Sequence, residues 1–214
     1  MTRENAAHER LLDEWVSSYR AEGMSDSFVR DGIISPALWG TSPSKVLFVT
    51  KEPNATSGRI FREFGGDLRC EGNAHPWRRL GEWASAIHAT ASSGSAPLGD
   101  VDKSRDDAYR GSAIINLKKL AGSARCNDQK VARIASRDRE RIWNQLNLIS
   151  PDWVVLCGVS RIIGEAWGAE LLRGAEIWSR KPRIIAVPHP SGRYERLKVH
   201  EMLQQRVRTH LRLS

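Results

Sequence analysis

Three polar residues of this chain stand directly behind short apolar runs, and each is of a type that does chemistry. Glu52 lies in Thr50-Lys51-Glu52-Pro53-Asn54. A carboxylate held in a cleft positions water or offsets a developing cation. Asn116 closes the run Ala113-Ile114-Ile115-Asn116. Asn is unfavourable in strands, so its side chain is expected to have a specific partner. A carboxamide donates and accepts together, which suits the edge of a nucleobase. His189 stands between Pro188 and Pro190 and is followed by Ser191. The two prolines leave the backbone few conformations, and an imidazole held that way can donate to an oxyanion forming on a leaving group. Each residue also has a plainer reading: a surface turn carboxylate, a turn-stabilising Asn, a rim histidine bonded to a carbonyl.

What must position these residues is a set of strands. Lys45–Thr50, Ala113–Asn116, Trp153–Cys157 and Arg183–Val187 are continuous, β-branched and bounded by Gly or Pro, the pattern of strands buried on both faces of a parallel sheet. Helical periodicity lies between and around them. Leu11, Leu12, Trp15, Val16 and Tyr19 predict a helix over about 5–22 that stops at Gly23. Leu80, Trp83, Ala84 and Ile87 predict one over Pro76–His88, and Ile142, Leu146 and Ile149 one over Asp138–Ile149 with Ser136 as its N-cap. Val199, Met202, Leu203, Val207 and Leu211 predict a closing helix over about 197–212 with a basic outer face. The Ser-, Gly- and Asp-rich stretch Ala89–Arg110 reads as a long loop. The expectation is a single α/β domain over 1–214: a three-layer α/β/α sandwich around a mainly parallel four-stranded sheet, with its core over about 45–195. Ligands of such sheets bind at the carboxyl ends of the strands. Parallel strands would therefore bring Glu52, Asn116 and His189 to one rim.

The chain carries 33 Lys and Arg against 25 Asp and Glu, a net charge of +8. A basic domain attracts polyanions, and nucleic acid is the commonest of these. Lys118, Lys119, Arg125, Lys130, Arg133, Arg137, Arg139 and Arg141 crowd one stretch that holds only three acids. They read either as a solvated face or as a surface that tracks phosphates. Three widely spaced cysteines, Cys70, Cys126 and Cys157, give neither a disulfide framework nor metal-ligand spacing. No metal or other cofactor is expected. No run approaches the ~20 apolar residues of a membrane span, and the N-terminus lacks a signal-peptide core. A cytoplasmic or nucleoid-associated monomer is expected.

Other candidates surround the three. Ser191 caps the loop after His189, while Arg193 and Tyr194 lie just beyond it, placed to touch a phosphate or enter a duplex. Phe61 and Phe64 stand in a Gly-bounded loop after Glu52, where one of them would stack on an extruded base. The tryptophans at 77, 83, 143, 153, 167 and 178 read as core.

Taken in order, Lys51-Glu52-Pro53-Asn54, Ile114-Ile115-Asn116, the strand leading to Leu156-Cys157-Gly158, and His189-Pro190-Ser191 resemble the motifs of the uracil-DNA glycosylase superfamily. The resemblance spans roughly residues 45–195. It implies hydrolysis of an N-glycosidic bond in single- or double-stranded DNA without a cofactor, on a nucleotide flipped from the stack. By it, His189 donates to the base oxygen, Glu52 favours the sugar cation and positions water, and Asn116 reads the base. Arg193, two places beyond the last motif as in the single-strand-selective monofunctional branch, fills the vacated space. Glu52 stands where the family carries Asp or Asn. Asn54 stands where the most uracil-specific branch has a Tyr, so no bulky side chain excludes a 5-substituted pyrimidine there. A non-catalytic DNA- or base-binding module and a small-nucleotide hydrolase or transferase are the other classes these residues allow.

Overall fold

The computed structural model describes residues 3–24, 27–53, 75–122, 126–167 and 182–212. Five strands, β1 (Gly32–Ile33), β2 (Val46–Thr50), β3 (Ala113–Asn116), β4 (Trp153–Cys157) and β5 (Arg183–Val187), form one sheet in the order β1-β3-β2-β4-β5. All neighbours are parallel except β1, which runs antiparallel to β3. The sheet thus has one strand more than the sequence predicts. A two-residue edge strand is too short to leave a hydrophobic pattern, and Gly32–Ile33 is not recognisable as one.

Alternation along the strands splits the core into two layers. Leu47, Val49, Ile115, Val154 and Leu156 face one side, against α1 (Arg3–Ala21), α5 (Asp128–Arg137), α6 (Arg139–Ile149) and α7 (Ser160–Trp167). Phe48, Ile114, Trp153, Val155 and Val187 face the other, against α3 (His75–Ser93), α4 (Leu98–Arg110) and α8 (Arg196–Arg212). A short α2 (Pro36–Thr41) precedes β2. This is the three-layer α/β/α arrangement, with strands apolar on both faces because both are covered.

Two local expectations are corrected. The stretch Ala89–Arg110 is not a long loop: α3 runs on to Ser93, and α4 occupies Leu98–Arg110. Its polar composition hides an apolar stripe of Val101, Ala108 and Tyr109, all buried, which is what drives the helix. Ser136 is not the cap of α6 but lies in the last turn of α5. The cap position belongs to Asp138, whose carboxylate makes no capping bond and instead accepts from the buried Tyr19 hydroxyl and from Arg137. The stop at Gly23 is present, at φ 72°, where a residue without Cβ is favoured.

The strand order has a switch point. From β2 the chain crosses to β3 on one side, and from β4 it crosses to β5 on the other. Because β2 and β4 are neighbours, their outgoing connections diverge, and it is at such a point that parallel sheets bind ligands. Lys51 and Glu52 follow β2 at this point, and Gly158 follows β4. No described helix is long and apolar enough to cross a membrane.

Candidate active site

Register brings the strand ends level. Thr50 pairs with Asn116 and Cys157 with Val187, so the segments carrying Glu52, Asn116 and His189 all leave the same edge of the sheet. Their immediate surroundings differ.

Asn116 is buried and held from two directions. The Thr50 hydroxyl donates to its Oδ1 at 2.7 Å, and its Nδ2 donates to Asp31 at 3.2 Å. A carboxamide has two N–H groups and two lone pairs, so one of each is left uncommitted by these bonds. Asp31, also buried, receives the Asn116 backbone N–H at 2.7 Å and Gln145 Nε2 at 2.9 Å. Its charge is met by Lys119, whose Nζ lies 2.7 and 2.8 Å from the two carboxylate oxygens. Burial pulls the Lys119 ammonium below its ordinary value, with Asp31 opposing that shift.

That geometry corrects the expectation for both adjacent lysines. Lys119 is 0% exposed and Lys118 4%, so neither stands on a phosphate-tracking surface. Lys118 Nζ is ion-paired with Glu52, and both side chains are nearly buried. Gly122 packs against the Glu52 carboxyl so closely that any Cβ there would collide with it. Glu52 is therefore a carboxylate held at the rim by a cation and a glycine rather than a mobile surface acid. The Cys126 thiol is pushed up to about 12 by burial and the neighbouring Glu52 charge; it stays protonated at neutral pH.

His189 is half-buried, and its tautomer follows from its contacts. The Ser191 backbone N–H, which can only donate, points at His189 Nδ1 at 3.3 Å, and the Ser191 hydroxyl lies 2.7 Å from the same atom. Nδ1 is thus the acceptor, and in the neutral ring the proton sits on Nε2. Burial, then the Lys51 charge, lower the imidazole's pKa, with Asp128 opposing. The result is a neutral imidazole that keeps a donor on Nε2. Gly158, at φ 66°, lets this happen: a Cβ there would lie 3.0 Å from His189 Cβ, so only glycine allows the histidine backbone to lean over the end of β4.

Several residues at this edge escape sequence reasoning. Lys51 Nζ donates to Asp128 at 2.7 Å, and Arg161 donates to the same carboxylate at 3.3 Å. This ties β2 to the first turns of α5 and α7. Asp31 gives no sequence signal, because its partners lie 85 to 114 residues away. Gly158 does have one, as the glycine directly behind an apolar run. Arg193 and Tyr194 are exposed. Asn54, Phe61, Phe64 and Arg125 lie outside the described residues, as does Trp178. Trp83, Trp153 and Trp167 are buried in the two core layers.

An open groove of about 320 Å³ lies away from these residues, by the segments that precede β2 and β3, with Pro43, His88 and Ala108 in its wall. None of the strand-end residues lines it, and the chemistry gathers at the other edge. Comparison with protein-family models and with curated proteins returns no match for this chain.

Proposed function

We propose that the chain is a monofunctional DNA glycosylase of the uracil-DNA glycosylase type, excising uracil or a modified pyrimidine by base flipping. The observation that carries this reading is the Ser191 N–H directed at His189 Nδ1, which leaves the donor of the neutral ring on Nε2, at the strand-end edge beside the switch point between β2 and β4. As the N-glycosidic bond lengthens, negative charge grows on the base and positive charge on the sugar. The Nε2–H of His189 donates to the base oxygen. The Glu52 carboxylate, held in place by Lys118, faces the cationic sugar, and water adds to the anomeric carbon, its released proton ending on the expelled base anion so that a neutral base and an abasic sugar result. The uncommitted N–H and lone pair of Asn116 read the base. Extrusion costs on the order of a few kcal/mol, offset by contacts of Arg193, Tyr194 and neighbouring cations with the DNA. The enzyme works in the cytoplasm as a monomer.

A second reading has its own support. Glu52 is neutralised by Lys118 at close range, which weakens it as a base, and the same site would then bind DNA or a base without cleaving it. Oligonucleotides carrying uracil, hydroxymethyluracil, other 5-modified pyrimidines and deaminated purines, scored for abasic sites, decide between them. The expected outcome is excision of at least one pyrimidine, lost by about 10²-fold or more in His189→Ala with DNA affinity retained. Tight binding without excision across the panel selects the binding module. Full activity of His189→Ala removes that residue from the mechanism.

A further inference from the structure

We propose that Arg79 is the positioning residue of the His189 loop, reaching from α3 to set the peptide plane that presents Ser191 to the imidazole. Arg79 Nη1 donates to the carbonyl of Pro190 at 3.0 Å and to the carbonyl of Gly192 at 2.6 Å. The carbonyl of Pro190 and the N–H of Ser191 belong to one peptide unit, which is planar, so they point in opposite directions. Holding that carbonyl toward α3 therefore aims the Ser191 N–H the other way, and its observed target is His189 Nδ1. The turn is closed from within by the Gly192 N–H, which donates to the His189 carbonyl at 2.9 Å. The far end of the segment is pinned as well: Arg196, the first residue of α8, donates to Glu82 of α3 at 3.1 Å and pairs with Asp102 of α4.

The base of the clamp is rigid. Arg79 is flanked in α3 by Leu80 and Trp83, both packed in the core, so the guanidinium works from a fixed helix. Arg is permanently charged and presents its donors in a planar fork, which suits two carbonyls converging from one tight turn. Pro188 and Pro190 restrict φ at their own positions, yet leave the peptide joining Pro190 to Ser191 free to rotate. Arg79 supplies the constraint that the prolines do not. Without it the Ser191 N–H is released, Nδ1 loses a donor, and the ring proton redistributes between its two nitrogens.

The kinetic consequence rests on the glycosylase reading; the structural one does not. The test is the imidazole 15N spectrum of His189 at neutral pH, assigned with His189→Gln, in the full chain and its Arg79 variants. The wild-type protein is expected to show one tautomer, protonated on Nε2. Arg79→Ala is expected to shift Nδ1 and Nε2 toward the averaged position of two exchanging tautomers, with Arg79→Lys in between. The remaining histidines report whether the fold is intact, and if the alanine variant unfolds, the lysine variant carries the comparison. Unchanged His189 nitrogens in a folded variant overturn the proposal. On whichever panel substrate is cleaved, Arg79→Ala should lower kcat by about 10²-fold, as misplacing a catalytic group by about 1 Å does, with KM little changed. An inactive wild-type protein whose His189 tautomer still depends on Arg79 refutes the glycosylase reading and leaves the positioning role standing. An active protein whose His189 ignores Arg79 does the reverse.

Discussion

Lys118 and Lys119 are neighbours in sequence, yet they serve two different carboxylates. Lys118 closes on Glu52 at the rim, and Lys119 turns into the interior against Asp31. Two charges taken wholly from water add little net stability as a pair, but removing one leaves the other uncompensated at high cost. Lys119→Met is therefore expected to destabilise the protein by about 3–5 kcal/mol in urea unfolding, and adding Asp31→Asn should recover part of that loss. A loss no larger than about 1 kcal/mol, the range of exposed pairs, would show that Asp31 finds other compensation. Because Asp31 also holds the backbone and side chain of Asn116, the same pair fixes the buried carboxamide at the end of β3.

At the scale of elements, the site depends on how β4 and β5 end. Gly158 takes a left-handed backbone conformation and lies against His189, while Gly23 takes a similar conformation at the end of α1 with open space around it. Comparing alanine at the two positions separates backbone strain from collision. Gly23→Ala should cost about 1 kcal/mol from its backbone alone and leave the His189 resonances unmoved. Gly158→Ala should cost more and displace them, because Cβ meets the histidine as well. Equal effects of the two on His189 would mean that the close approach of β4 and β5 does not position the ring. In helix α4 a Gly-, Ser- and Asp-rich composition yields to three buried residues at helical spacing once α3 offers a face to pack on.

Across the whole molecule, the positive charge has to be counted by where it is exposed rather than by how it clusters in sequence. Lys130 and Arg133 on α5 are exposed, whereas Lys118 and Lys119 are spent internally. Asp128 in the first turn of α5 is tied to Lys51 just past the end of β2, which places the start of this helix at the same edge as the candidate site. If the chain binds DNA as proposed, its affinity falls with salt, the slope of log K against log salt being about −0.9 for each phosphate engaged. Lys130→Ala and Arg133→Ala should each flatten that slope by about one, measured by fluorescence anisotropy over a salt series. Slopes unchanged in both variants would move the DNA-binding surface off α5.

The layers of this protein are legible along the chain. Its four continuous apolar runs and the amphipathic stretches between them specify a parallel sheet covered on both faces, and that pattern is local, carried by spacings of two and of three to four residues. It also picked out Glu52, Asn116 and His189, because a polar residue directly behind a buried strand is visible along the chain. How those residues are held depends instead on contacts between distant parts of the chain. Glu52 is paired with a lysine 66 positions away and Asn116 with an aspartate 85 positions away, and Arg79 reaches the His189 turn across 111 residues. Such pairings depend on which strand ends lie side by side, and that follows from the order β1-β3-β2-β4-β5. Spacing along the chain does not encode that order. Hence a run of basic residues that looks like one surface from its sequence divides, once folded, into exposed cations and buried counter-charges.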